Sequence, residues 1–496
     1  MRTSFKFTLL LFIAIFTFQS CQDNDDIAPP ASLEIQDFIW KGLNQYYLWQ
    51  DKVPNLDENL FADQTELNTF LSGYPAPENL FDALLFKPKD RFSWIVDDYL
   101  ELEKSLQGTS KNNGVDFELR RKSDNSNEVV GYVRYILPGS DAFPKDIKRG
   151  DVFYGVNGTQ LTVSNYQSLL YGAAESYTLN FANLTYDSNN APIFTPNGKS
   201  VSLTKTILDE NPIFINKVIV NGTHKIGYLM YNGFYSNYDN QLNDAFGYLK
   251  AEGITDLVLD LRYNGGGSVL TSTRLASMIT GTFTGQVFAK LEWNGKNSDN
   301  NTNYLFPDKI DATPINVLKM TKVYILTSKS TASASELIIN GLKPYIPVVQ
   351  IGDLTYGKNV ASITLYDSPS FGAANRNPHH RYAMQPIVAN TVNSDGFGDY
   401  LGGLEPDFLV KETIRTFGIL GNSEIKMINS KEELISNEPL LDMAFAKITG
   451  RTTSTNRTSQ SVSGKDFIYF TDSKSMNGQN QMHIDKLPEG FRNPLK

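Results

Sequence analysis

Thr331-Ala332-Ser333-Ala334-Ser335-Glu336 is the stretch on which the reading of this chain turns. It follows an apolar run, Val323-Tyr324-Ile325-Leu326, with the pattern of a buried strand. It precedes Leu337, Ile338, Ile339 and Leu342, whose spacing suits a short helix. Ser333 therefore stands where a strand hands over to a helix, a place where an exposed nucleophile and free helix N–H groups coexist. The same letters also spell a capping box, the serine accepting from the backbone and Glu336 reaching back. A second stretch tips the balance towards chemistry: Asp353-Leu354-Thr355-Tyr356-Gly357-Lys358. Twenty-five residues separate Ser333 from Lys358, enough for one helix, one strand (Val348 to Ile351) and a turn. The lysine can thus return to the serine hydroxyl.

Ser-Ala-Ser-Glu and Tyr-Gly-Lys at this separation resemble the C-terminal processing (tail-specific) peptidases. Leu259-Asp260-Leu261-Arg262-Tyr263-Asn264-Gly265-Gly266-Gly267 is similar to that family's Asp-Leu-Arg-x-Asn-x-Gly-Gly. Gly402-Gly403-Leu404-Glu405-Pro406-Asp407 resembles its Gly-x-x-Pro-Asp closing motif. The resemblance implies a multidomain α+β and α/β protein: an N-terminal helical module, a β-rich PDZ-like domain, and a catalytic α/β core with crossover units of the ClpP/crotonase type. It also implies a serine-type peptidase that works through a Ser/Lys dyad and an acyl-enzyme, without metal or cofactor.

Acyl transfer needs a nucleophile, a base and donors for the developing oxyanion. By the family pattern Ser333 is the nucleophile and Lys358 the base, with the N–H groups of Ala334 and Gly266 as the oxyanion hole. A lysine base must be neutral, and desolvation disfavours the ammonium form; Leu354, Tyr356 and Val360 are apolar neighbours in sequence. One departure stands out. The family often carries a glutamine four residues after the lysine to orient it, and here that position is Ser362. Its hydroxyl can hydrogen-bond an amine over a shorter reach.

The chain order supplies the rest. Arg2 and Lys6 precede an apolar run from Phe7 to Phe18, too short to span a bilayer. Cys21 is the single cysteine of the chain, so it forms no internal disulfide. Its position resembles a lipoprotein cleavage site, which makes residues 1–20 a signal peptide and Cys21 a lipid-bearing membrane anchor on a bacterial envelope protein facing periplasm or cell surface. Residues 21–32, with Asp23, Asp25, Asp26, Pro29 and Pro30, read as an acidic tether. Residues 33–110 read as the helical module. Residues 111–206 change to strand patterns, Val115 to Leu119 and Val129 to Ile136, with a polar insertion at 187–199. As a PDZ-like domain this region adds a peptide as an extra strand, and Gly114, Val115, Asp116 and Phe117 form the loop that takes a free C-terminal carboxylate. Residues 207–415 alternate strand and helix with short turns, which argues for crossover units and parallel strands. Gly265-Gly266-Gly267 sits between a strand end and a helix start but lacks the phosphate-loop pattern, so an oxyanion site is the better reading. Residues 416–496 read as a helical and polar extension.

Two other classes remain open on the sequence. A Ser-His-acid hydrolase would have to use His224, His379, His380 or His483; the pair His379-His380 follows Pro378 in a polar loop, and lone histidines like these read as surface residues. A catalytically silent peptide-binding lipoprotein would keep the fold without needing both Ser333 and Lys358. The net charge of −9 over 496 residues, with no long basic block, argues against nucleic acid as a partner. Protein or peptide substrates, held through free C-termini, are the expected partners.

Overall fold

A computed structural model describes residues 28–123, 125–188, 191–428, 431–452, 467–476 and 482–485. Cys21, the apolar run and most of the acidic tether lie outside these residues. Among the described residues no helix is long and apolar enough to cross a membrane. The chain divides into two compact units, one from the first 97 residues with Thr364–Pro386, the other from Asp98–Ile363 and Ile387–Leu487.

In the larger unit a β-rich domain comes first: β1 (Val115–Arg121), β2 (Val129–Ile136), β3 (Val152–Val156), helix α1 (Tyr166–Tyr171), β4 (Ser176–Tyr186) and β5 (Pro192–Thr204). Val115, Phe117 and Leu119 alternate inward on β1 and meet Val133, Phe153, Leu179 and Leu203 in one core. The polar insertion expected at 187–199 is instead mostly strand. β4 and β5 pair from Ser176↔Thr204 out to Tyr186↔Pro192. The outer part of this ribbon buries little, so its sequence shows no apolar alternation.

The region expected to be the α/β core follows as β6 (Ile213–Asn221), β7 (His224–Tyr231), β8 (Asp256–Asp260), α2 (Val269–Thr280), β9 (Val323–Thr327), α3 (Ala334–Leu342), β10 (Val348–Gly352), β11 (Val360–Ser362) and β12 (Phe408–Leu409). Strands β6-β7-β8-β9-β10-β12 form one sheet in that order. The pairs β7–β8, β8–β9, β9–β10 and β10–β12 are parallel, as the crossover pattern requires. Every residue of β9 is buried, which accounts for its unbroken apolar run. β11 belongs to a second sheet, where it pairs with Ile387–Asn393.

The expected core of 207–415 is interrupted. Leu365–Tyr366 and Ala383–Gln385 leave it and pair with each other and with Trp94–Val96 in the smaller unit. That unit carries the expected helices, Glu34–Tyr46, Gln64–Leu71 and Pro77–Ala83. In it Asp90 is buried and accepts from the Tyr47 hydroxyl at 2.7 Å and from the Phe92 and Ser93 N–H groups at 2.9 Å each, so the Asp-Arg-Phe-Ser stretch shapes a turn. The extension after 416 is only partly helical. Glu424–Ile428 and Lys431–Ile435 make a hairpin before the helix Pro439–Thr449, and β13 (Ile468–Asp472) joins the β-rich domain as a strand beside β1.

Candidate active site

β8 ends in Asp260, and the next seven residues form the floor of the site. Asp260 accepts from the Tyr228 hydroxyl at 2.7 Å and pairs with Arg262 at 2.8 Å, both charges fully buried. Arg262 also reaches Glu412 at 3.1 Å and Glu438 at 2.7 Å. The Asp-Leu-Arg motif is thus a buried ion-pair network that fixes the end of a central strand. Asn264 comes next. Its side-chain nitrogen donates to the Tyr231 carbonyl at 2.8 Å and its Oδ1 accepts the Gly266 N–H at 2.9 Å. Its own carbonyl accepts from Ala332 N–H at 3.2 Å and Ser335 Oγ at 2.9 Å. One residue therefore ties the glycine loop to the loop that carries Ser333.

Gly266 has φ +113, and a Cβ there would lie 2.6 Å from the Ser333 Cβ and 2.9 Å from the Ala334 nitrogen. Only glycine permits that approach. The expected oxyanion pair, Gly266 and Ala334, is therefore adjacent to Ser333. In this state the Gly266 N–H is directed at Asn264, whereas the Ala334 N–H meets no acceptor among the described residues.

Ser333 lies at the start of α3 with φ 65° and ψ −117°, a conformation that costs a non-glycine residue about 1–3 kcal/mol. An ordinary helix cap sits in the extended region instead. Its side chain is 0 % exposed, and among the described residues its hydroxyl has no hydrogen-bond partner of good geometry. The glutamate half of the capping box is made, with Ser333 N–H donating to Glu336 Oε2 at 2.8 Å.

Glu336 does more than cap. Its Oε2 also accepts the Lys358 backbone N–H at 2.8 Å, while Oε1 accepts from Thr355 Oγ1 at 2.6 Å and Gly357 N–H at 2.7 Å. This fully buried carboxylate fastens the backbone of Ser333 to the backbone of Lys358. Burial pushes its carboxyl up from the ordinary value, against the pull of those four hydrogen bonds. Sequence reading assigned Glu336 to the cap alone, since nothing in the spelling of a capping box points to partners some twenty residues on. Lys358 is 1 % exposed, as a desolvated base requires. Ser362, fully buried at the end of β11, donates its hydroxyl to the Met482 carbonyl at 3.1 Å.

The loop expected to take a carboxylate is filled in this structure. Gly114 N–H donates to Asn112 Oδ1 at 2.7 Å, Val115 N–H to Asn113 Oδ1 at 3.1 Å, and Phe117 N–H to Ser473 Oγ at 3.2 Å. Asp116 is buried against Arg134 at 2.5 Å.

The histidines are scattered. His224 opens β7 and pairs with Asp256 at the opposite end of the parallel sheet from Ser333. His379 and His380 lie beside Glu34 and Asp367 in the smaller unit. His483 is buried rather than exposed, with its backbone beside Gly267 and Ser362.

Residues 225–374 match the model of Peptidase family S41, and residues 34–94 that of the Peptidase S41 N-terminal domain. The chain is similar to the C-terminal processing peptidase, chloroplastic, of Tetradesmus obliquus, 26% identical over 273 residues, which is 53% of this chain and 54% of that protein. It is 24% identical over 321 residues to the carboxyl-terminal-processing peptidase 1, chloroplastic, of Arabidopsis thaliana, covering 62% of this chain and 60% of that protein. The chain thus spans little more than half the length of these relatives. A crystal structure assigned to the S41 proteases, from Bacteroides fragilis NCTC 9343, aligns with a TM-score of 0.64 and 25% identity over 86% of this chain and 99% of that one.

Proposed function

Because the chain belongs to peptidase family S41, we propose that it is a serine endopeptidase of the C-terminal processing type, acting on unfolded proteins or on proteins held by their C-termini. The observation that carries this reading is Ser333. Its hydroxyl is buried without a well-formed hydrogen bond among the described residues, on a strained backbone, and Glu336 binds that backbone to the backbone of Lys358. Strain of this kind persists where the surroundings over-determine it, and such places cluster at active sites.

In the reaction, neutral Lys358 takes the Ser333 proton as Oγ attacks the scissile carbonyl carbon. The oxyanion gathers on the Ala334 N–H at the start of α3, where the helix dipole adds to the field. Gly266 joins once its N–H leaves Asn264. Lys358 then protonates the leaving amine, and water, deprotonated by the same lysine, hydrolyses the acyl-enzyme. Ser362 holds the amine by accepting from it. The β-rich domain, PDZ-like in this reading, takes substrate as a strand beside β1. Lipid on Cys21 anchors the protein to the envelope membrane, a role tested by whether Cys21→Ser moves it from the detergent to the aqueous phase.

The deciding experiment incubates an unfolded protein with the purified wild type, Ser333→Ala and Lys358→Arg. Both variants should lose about 10³-fold or more in kcat/KM, Ser333→Ala with a melting temperature close to wild type and Lys358→Arg with a lower one, since a guanidinium keeps its proton at any usable pH even in a buried site. A fully active Lys358→Arg enzyme, or one whose pH profile moves with His483→Ala, would transfer the base role elsewhere.

A further inference from the structure

Two pieces of the chain's own extension lie where a peptide substrate would lie. The first is β13. It pairs antiparallel with β1, Ile468↔Arg121 to Asp472↔Glu118, at the edge where strand addition would occur. Phe470 packs against Tyr166 of α1 with ring centroids 5.0 Å apart, and the Tyr171 hydroxyl donates to the Ser473 carbonyl at 3.1 Å. Ser473 Oγ takes the Phe117 N–H and donates to Asp116 at 2.8 Å. A cavity of about 190 Å³ remains beside this end, lined by Gly114, Phe117, Leu170, Tyr177 and Ser473 among others.

The second piece is Met482–Asp485, held almost wholly by main chain. On one side Ser362 N–H donates to the Met482 carbonyl at 3.0 Å and Ile484 N–H to the Ser362 carbonyl at 2.9 Å. On the other, His483 N–H donates to the Gly267 carbonyl at 3.1 Å and Val269 N–H to the His483 carbonyl at 3.1 Å. Asp485 accepts from Ser268 Oγ at 2.8 Å and from Leu270 N–H at 3.3 Å. The alternation is that of a strand inserted between two edges. One edge continues the glycine loop, which touches Ser333; the other is β11, which follows Lys358.

We propose that Ile468–Ser473 and Met482–Asp485 are two pieces of an intramolecular peptide ligand. In this state the first occupies the strand-addition edge of the β-rich domain and the second the main-chain positions of the catalytic cleft, and a substrate must displace both. The positions that receive substrate backbone are then the Gly267 carbonyl, the Val269 N–H and both main-chain groups of Ser362, and they select an extended chain rather than a side-chain sequence. The burial of Ser333 and Lys358 fits this, since no entering peptide reaches them while the cleft is filled. Asp472 links the first piece to the site: it accepts from Ser330 Oγ at 2.6 Å, three residues before the nucleophile, and lies 3.4 Å from Arg134. The proposal rests on Ser333 as the nucleophile, and its test separates the two ideas.

The full-length Ser333→Ala protein is compared with Ser333→Ala carrying Ile484→Pro and Asp485→Ala, which removes the bonds to Ser362 and Ser268. The probe is a fluorescent peptide with the sequence of residues 467–487, its Kd read by anisotropy. Release of the internal ligand should tighten Kd about tenfold. The same two tail substitutions on a wild-type Ser333 background should raise kcat/KM on an unfolded protein by a similar factor. Equal Kd values in folded proteins, judged by melting temperature, would overturn the proposal. Tighter binding without turnover in either background would leave the ligand in place and sink the peptidase reading instead. Should Ile484→Pro impair folding, Ser473→Ala, which frees the Phe117 N–H and removes one bond to Asp116, gives the same comparison in the other groove, and an unchanged Kd there would equally overturn it.

Discussion

At Ser333 the backbone strain and the chemistry can be pulled apart. Glycine at φ 65°, ψ −117° relieves the strain that alanine retains. Ser333→Gly should therefore melt higher than Ser333→Ala, by a margin worth about 1 kcal/mol, while both lose proteolysis. A cap-only role would give the opposite balance, with both variants destabilised by about 1 kcal/mol and activity kept. Glu336 makes a second test. An amide nitrogen in place of either oxygen would face donors already aimed at it. Glu336→Gln should lower kcat by about tenfold to a hundredfold with little change in KM, because it displaces the Ser333 and Lys358 backbones without touching the substrate grooves. Equal changes in kcat and KM would make Glu336 merely structural.

Among the elements, the glycine loop depends on Asn264, whose side chain satisfies Tyr231 and Gly266. Asn264→Ala leaves two buried groups unpaired, at about 1–3 kcal/mol each, and should cost both stability and kcat. Calorimetry and single-turnover rates measure the two separately. What the sequence made legible follows from how each element is held. The unbroken apolar run of β9 and the Ser333 junction could be read because burial on both faces writes itself into residue type. The β4–β5 ribbon could not, since its pairing is by backbone and its outer faces meet water. Met482–Asp485 is the extreme case: apart from the Asp485 carboxylate, it is held through its main chain, by bonds that almost any sequence could make. The glycines, Ser333 and Lys358 were found through motif likeness, whereas the joining carboxylate of Glu336 needed coordinates.

Across the larger unit, buried charge joins the apolar packing of Tyr135 against Tyr228, Met230 and Tyr263 in fastening the β-rich domain to the six-stranded sheet. Arg149, just before β3, pairs with Glu412 at 2.5 Å, and Glu412 also binds Arg262 and the Tyr263 hydroxyl. Burial opposes the Glu412 charge, yet Arg149 and Arg262 hold its carboxyl down to about 2. A depressed carboxyl contributes stability that is complete above the unfolded value of about 4.3 and is gone once the pH has fallen below about 2. Glu412→Gln should cost about 3–5 kcal/mol at neutral pH, because Arg149 loses its carboxylate partner and Arg262 one of three, and the gap to wild type should close progressively between pH 4 and 2. Denaturant melts across that range measure it. A gap that stays constant with pH would mean that packing, not charge, makes the joint.

The strand at β1 and the strand in the cleft belong to one stretch of eighteen residues, from Ile468 to Asp485. A competitor tethered in this way is present at an effective concentration on the order of millimolar, whatever the dilution of the protein. A short free peptide contests one groove at a time and loses to it. A long disordered tail that enters beside β1 brings its own downstream residues to the cleft at comparable effective concentration and meets the occupant on equal terms. The protein would then measure length: a peptide of about 20 residues should be cleaved with kcat/KM far above that of a hexapeptide carrying the same scissile bond, and weakening the bonds of Met482–Asp485 should narrow the difference. Folded proteins with stubby ends would pass by uncut, not for want of a cleavable sequence but for want of reach.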